Sequence, residues 1–268
     1  MADVRRAAEA ADGADPLDEA ARMALAHTGL DHALLWVQGR DGFALLRDHE
    51  LDLAVRPAAR GEGVGTALAR AALAGAPADV TAWSHVDDPA ARAIAARVGL
   101  VGVRELWVMR RSADPVEVPA VDGVTIRGYR PDDAEEVLRV NRTAFAHHPE
   151  QGSMDAANLA DRMAEPWFDP AGLLVADTGD GLLGFHWTKQ HSPELGEVYV
   201  VAVDPAAQGR GLGRALTAAG LAHLASLGVR EIILYVESDN AAAIATYSRL
   251  GFIHTETHVQ YARRGESG

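Results

Sequence analysis

The sequence predicts two tandem α/β domains, each an α+β arrangement of helices on a mixed sheet. Two observations carry that expectation. The 268-residue chain is about twice the common domain size of roughly 100–150 residues, and its 48% hydrophobic and 24% charged residues are ordinary globular composition. The chain also repeats itself. Leu53-Ala54-Val55-Arg56-Pro57-Ala58-Ala59-Arg60-Gly61-Glu62-Gly63-Val64-Gly65-Thr66-Ala67-Leu68 aligns without a gap on Val201-Ala202-Val203-Asp204-Pro205-Ala206-Ala207-Gln208-Gly209-Arg210-Gly211-Leu212-Gly213-Arg214-Ala215-Leu216. Further on, Arg97-Val98-Gly99-Leu100 answers Arg249-Leu250-Gly251-Phe252. Three glycines and a proline in register point to a tandem duplication.

Between the copies, residues 112–123 carry two prolines, acids and a terminal glycine, so they read as a linker between domains at 1–111 and 124–268. Each half reads as helices, then strands, a glycine loop, a long helix, a strand, a helix and a strand. In the second half Pro131-Asp132-Asp133 opens a helix with Val137, Leu138 and Asn141 at helical spacing. Strands at 173–176 and 182–187 flank Asp177-Thr178-Gly179-Asp180-Gly181, a hairpin signal. Residues 197–203 are a strongly apolar strand, 211–227 an Ala/Leu helix, 231–236 a strand, 241–250 a helix and 258–262 a last strand.

Twenty-five Lys and Arg against 38 Asp and Glu give a formal charge of -13. A surface that acidic repels phosphate backbones, so no nucleic-acid partner is expected. With no Cys there are no disulfides, thiolate metal sites or Cys nucleophiles. No apolar run approaches the roughly 18–20 residues of a membrane helix, and the opening MADVRRAAEAADGAD lacks an apolar leader core. A cytoplasmic monomer is expected, without a membrane partner. His147-His148, His186 and His191 show no metal-ligand spacing, so no metal is expected, and Trp83, Trp107 and Trp187 read as core or pocket walls.

The chemical signal is the glycine loop. Gln208-Gly209-Arg210-Gly211-Leu212-Gly213 follows a strand and opens a helix, where converging N–H groups and the helix terminus suit a pyrophosphate. Its spacing fits neither a Gly-x-Gly-x-x-Gly fingerprint nor a P-loop.

With these residues, the second half resembles the GNAT family of acetyl-CoA-dependent N-acetyltransferases. Gln208-x-x-Gly211-x-Gly213 matches that family's pyrophosphate loop, and Asn240-x-x-Ala243-x-x-x-Tyr247-x-x-x-Gly251-Phe252 its second signature. The resemblance covers nearly the whole chain as two tandem GNAT domains. Segments 147–152, 165–170, 184–189 and 196–201 are similar to the mycothiol synthases, a branch of that family.

The resemblance implies acetylation of the cysteinyl amine of cysteinyl-glucosaminyl-inositol by direct attack on the acetyl-CoA thioester. An α-amine with a pKa near 7.7–8 needs only a carboxylate, acting directly or through water, to lose its proton. Glu197 would be that base and Tyr247 the acid at the departing thiolate, visible as a basic limb in rate against pH. The amine substrate would meet Glu150, Lys189, Glu197 and Tyr235, with Glu19 from the first half. The cofactor segments implied are Leu53, Ala54 and Val55 with Arg60, Gly61, Glu62, Gly63, Val64 and Gly65 in the first half. In the second they are Val201, Ala202 and Val203, then Gln208, Gly209, Arg210, Gly211, Leu212 and Gly213, then Asn240, Ala241, Ala242, Ala243, Ile244 and Ala245.

The first half departs from the pattern, with Ala95 where the second places Tyr247 and Glu62 inside its glycine loop. It reads as non-catalytic, with acetyl-CoA binding there left open. Two alternatives stand beside this reading: a GNAT enzyme for another amine, and a non-catalytic acyl-CoA sensor.

Overall fold

The computed structural model describes residues 1–13, 15–31, 33–146 and 151–264, with the backbone alone at 19, 20, 27 and 28. The chain forms two compact units, Met1–Leu106 together with the segment from Glu256, and Trp107–Thr255.

The first unit opens with α1 (Ala2–Asp12) and α2 (Glu19–Thr28), the latter capped by the Asp18 carboxylate accepting from Ala21 N at 2.6 Å. The meander β1 (Ala33–Gln38), β2 (Gly42–Arg47) and β3 (Glu50–Val55) follows, antiparallel throughout. Next come α3 (Val64–Gly75), β4 (Thr81–Ser84), α4 (Pro89–Val98) and the start of β5 (Leu100–Ser112). Strand β2 is buried on both faces: Phe43 and Leu45 pack under α1 and the start of α2, Ala44 and Leu46 under α3. That explains its unbroken apolar run. Beyond β4 in the sheet comes β11 (Ile253–Arg263), whose residues 259–262 pair antiparallel with β4.

The second unit holds the end of β5, then β6 (Thr125–Gly128), α5 (Ala134–Ala144), α6 (Ala156–Met163), β7 (Leu173–Asp177), β8 (Leu182–Gln190), β9 (Leu195–Val203), α7 (Leu212–Ser226), β10 (Glu231–Glu237) and α8 (Ala241–Arg249). Its strands lie in the order β5-β10-β9-β8-β7-β6. Phe185 and Trp187 face α5 and α6, while His186 points the other way, onto α7. There its Nδ1 shares a 2.8 Å hydrogen bond with Leu216 O, and a Cβ at Gly220 would strike the ring, so only glycine fits. The hairpin expected at 177–181 forms, with Gly179 at φ 87°.

The repeat suggested bounds at 1–111 and 124–268, but compactness cuts the chain elsewhere. Leu100 shares a core with Ala95 and Tyr261 in the first unit, whereas Met109 and Trp107 pack in the second. A 13-residue strand serves both units. Residues 113–121 form no helix or strand, yet Ala113 N donates to Arg230 O at 2.9 Å, and Ala113 and Val116 pack on the second unit's core.

Candidate active site

In the second unit the hairpin of β8 and β9 sets the site. Its turn closes by His191 N donating to Leu195 O at 2.9 Å, which fixes Lys189 opposite Glu197. The register then slips: Trp187 pairs Val200 but Thr188 pairs Val198, so Tyr199 bulges out of the ladder. The bulge brings Tyr199 beside Lys189 and Trp187. The buried Lys189 ammonium sits 4.6 Å from the Trp167 ring and 5.2 Å from Tyr199, a cation held against two π faces. Arg162 donates to the Tyr199 hydroxyl at 2.9 Å. Glu197 is buried, and its Oε2 accepts from His191 Nε2 at 2.5 Å.

On the other side of β9 the parallel register with β10 runs only from Leu195–Val198 against Glu231–Leu234. Past that point the strands separate, and Tyr199–Val203 present a backbone edge that β10 does not cover. The edge leads into the glycine loop. Asp204 anchors it by accepting from Ala206 N at 3.0 Å and from Arg139 at 2.7 Å, and that guanidinium holds its carboxyl below the usual range. Gly209 and Gly211 stand at φ 78° and 82°, conformations that disfavour any side chain. No N–H of residues 209–214 donates to a described residue. These donors crown the 15-residue α7, whose dipole adds positive potential.

Helix α8 begins at Asn240, whose side-chain oxygen caps it by accepting from Ala243 N at 3.1 Å, so that oxygen is committed. Residues Ala241, Ala242, Ala243, Ile244 and Ala245 form its exposed or half-exposed first turns. Tyr247 packs against Phe252 at 5.9 Å between ring centres, and burial pushes its phenol up to about 12. A group held that high adds no basic limb in an ordinary pH range. Tyr235 lies largely exposed on β10.

The first unit repeats the loop in conformation. Gly61 and Gly63 stand at φ 81° and 86°, and no N–H of residues 61–66 donates to a described residue. Leu53, Ala54, Val55, Arg60, Gly61, Gly63, Val64 and Gly65 all line one cleft of about 680 Å³. Strands β3 and β4 pair only at Glu50 and Thr81, so this cleft also opens between diverging parallel strands. Three features differ from the second unit. The β2–β3 ladder has no bulge, Ala95 lines the cleft where a tyrosine stands in the other half, and both terminal nitrogens of the Arg60 guanidinium are held by Asp12 at 2.7 and 2.6 Å. Exposed Glu62 does not line the cleft. Beside it Asp52 is buried against Arg47, and burial pushes its carboxyl up to about 6.

Of the substrate residues expected from sequence, the second unit brings Lys189 and Glu197 together and places Tyr235 on the strand that diverges from them. Glu19 starts α2 of the first unit, its side chain outside the described residues, and Glu150 lies outside them altogether. Sequence reasoning missed His191, Tyr199 and Arg162. The alternation Lys189-x-His191 on a strand facing Glu197 across a short turn was the available signal. Among the described residues no group of three or more His, Asp or Glu side chains is placed to hold a metal, and no helix is long and apolar enough to cross a membrane.

The acetyltransferase (GNAT) family model matches residues 28–100 and 136–252. The mycothiol acetyltransferase of Nocardioides sp. is 58% identical over 98% of this chain and 96% of that protein. That of Nocardia farcinica is 50% identical over 97% and 91%. Among solved structures, a GCN5-related N-acetyltransferase from Sphaerobacter thermophilus superposes with a TM-score of 0.68 over 97% of this chain and 90% of that one, at 23% identity. A tandem GNAT protein from the clavulanic acid biosynthesis pathway gives 0.67 over 95% and 91%, at 22% identity. Two copies of a glycine loop at a helix start, each beside diverging parallel strands, are thus matched by sequence and by fold: the chain belongs to the acetyltransferase (GNAT) family, as two tandem GNAT domains.

Proposed function

We propose that the chain transfers the acetyl group of acetyl-CoA to the cysteinyl amine of cysteinyl-glucosaminyl-inositol, giving mycothiol and CoA, with the second unit as the catalytic one. The observation that carries this reading is the buried Glu197 facing Lys189 where β9 parts from β10. An opening between strands admits the pantetheine arm to the exposed edge of β9, and residues 209–214 receive the pyrophosphate at α7. Glu197 takes the ammonium proton, the free amine attacks the thioester carbonyl, and as the carbon–sulfur bond breaks the second nitrogen proton passes to the departing sulfur, giving the amide and HS-CoA. Tyr247, with a phenol at about 12, stays protonated and donates a hydrogen bond to the departing thiolate. A thiol near 8.5 is much the stronger acid, so full proton transfer from Tyr247 is uphill and its contribution modest. Likeness to mycothiol acetyltransferases along nearly the whole chain supports the substrate. In the same reading the protein works as a cytoplasmic monomer, and the first unit binds acetyl-CoA in its cleft without turning it over, for want of the tyrosine and the bulge.

Acetyl-CoA and a panel of amines, read by thiol release, test the proposal. Turnover of the cysteinyl pseudodisaccharide well above aminoglycosides and polyamines is expected. Turnover of another amine alone overturns the substrate, and CoA binding without amine-dependent thiol release overturns catalysis.

A further inference from the structure

Glu197 has a problem that its burial creates. At neutral pH the amine is largely an ammonium, so the balanced reaction is R–NH3+ plus acetyl-S-CoA giving R–NH-acetyl, HS-CoA and one H+. Two protons leave nitrogen; one ends on the thiol and the other must reach water every turnover. The base that receives it is 8% exposed and does not line any cleft described above.

His191 connects it to one. It follows the last residue of β8, two positions from Lys189 and so on the same face, diagonal to Glu197 across the hairpin. Its Nε2 meets Glu197 Oε2 at 2.5 Å, while the ring is 34% exposed. His191 lines a cleft of about 470 Å³ together with Trp167, Asp169, Gln190, Ser192 and His223, whereas Glu197 does not. Asp169 Oδ2 in that cleft lies 3.3 Å from His223 Nε2, close enough for an ion pair when that ring is protonated but without a hydrogen bond. One partly exposed imidazole therefore touches the buried carboxylate through Nε2 and also lines the cleft.

We infer that His191 is a positioning residue that orients the Glu197 carboxylate and passes its proton to water in this cleft. The inference rests on Glu197 being the base. Once protonated, the Glu197 carboxyl donates its O–H to the Nε2 lone pair of the Nδ1–H tautomer; Nε2 gains that proton as Nδ1 releases one to water. This leaves the carboxylate accepting from Nε2–H, and the ring resets by turning Nε2 away from Glu197 to the cleft, where water takes the Nε2 proton as Nδ1 regains one. No proton is created or lost, and no co-reactant is needed.

Three variants, assayed with acetyl-CoA and the cysteinyl pseudodisaccharide, test this. His191→Ala is expected to lower kcat about 10-fold to 10²-fold, at the low end for proton-transfer catalysis, with acetyl-CoA affinity unchanged. Added imidazole, small enough for the cleft, restores it in a concentration-dependent way. His191→Gln keeps a donor for Glu197 but cannot relay a proton, so it too is slow. Native kcat in His191→Gln, or a slow His191→Ala that imidazole leaves slow, overturns the relay. Glu197→Gln, measured alongside, separates the two readings: if it is near native the base assignment falls and the relay with it, and if it is slow while both His191 variants are native only the relay falls.

Discussion

Lys189 and Glu197 stand directly opposite each other on β8 and β9, both buried, with the Lys189 ammonium capped by Trp167 and Tyr199 rather than drawn out to solvent. Two opposite charges desolvated on one sheet face cost more than they return unless a ligand uses them. Lys189→Gln is therefore expected to raise KM for the amine substrate about 10-fold to 10²-fold, the range of one charge-assisted hydrogen bond. The acetyl-CoA dissociation constant, measured by calorimetry, should not move. An unchanged KM for the amine would make Lys189 a structural cation.

Tyr247→Phe should lower kcat on the order of 10-fold, since a phenol at about 12 assists the thiolate by hydrogen bonding alone. The rate profile below pH 10 should keep its shape. Tyr235→Phe should raise KM for the amine instead. A silent Tyr247→Phe beside a Tyr235→Phe that loses kcat would exchange their roles.

Gly211→Glu should abolish acetyl-CoA binding in the second unit, because it puts a carboxylate among the donors of residues 209–214. The position is left-handed, at φ 82°, so Gly211→Asn serves as the control that tolerates the backbone without the charge. Gly63→Glu should spare turnover. Equal losses from Gly211→Glu and Gly63→Glu would mean that both clefts take part in the reaction.

Burial holds His186 near 4, against an ordinary value near 6.5. The unfolded chain then binds more protons than the folded one between about pH 6.5 and 4, so this group's stabilisation is lost as pH falls through that window, on the order of 3 kcal/mol in all. Asp52, raised to about 6, works in the opposite direction for the first unit and gains stability as pH falls below 6. Thermal unfolding of the second unit should drop in midpoint from pH 7 to 5. His186→Leu should start lower, having lost its bond to Leu216 O, and drop less. An equal drop in both proteins would rule out His186 as the source.

The two tandem domains were legible because their signals are local. Glycines at 61, 63, 209 and 211 are needed for positive φ, and the same spacing returned the same backbone in both units. Asn240 was legible as a helix start but not as a cap whose oxygen is already used. His191 was passed over because its meaning comes from a register: only when Lys189 is aligned with Glu197 does the histidine fall beside the carboxylate. The bulge at Tyr199 was invisible for the same reason, as it is a mismatch between two strands rather than a property of either. The repeat and the compact units cut the chain at different places because β5 and β11 each serve a unit other than the one their sequence position suggests.

That last exchange has a consequence in time. Ser84 of β4 pairs with Val259, and the whole second unit is synthesised between them. At about 5–20 residues per second, the edge of β4 emerges from a translating ribosome on the order of ten seconds before its partner exists. Through that interval the nascent first unit carries an unsatisfied strand edge, open to any other strand in reach. Biogenesis, rather than catalysis, is where this chain depends most on its final strand.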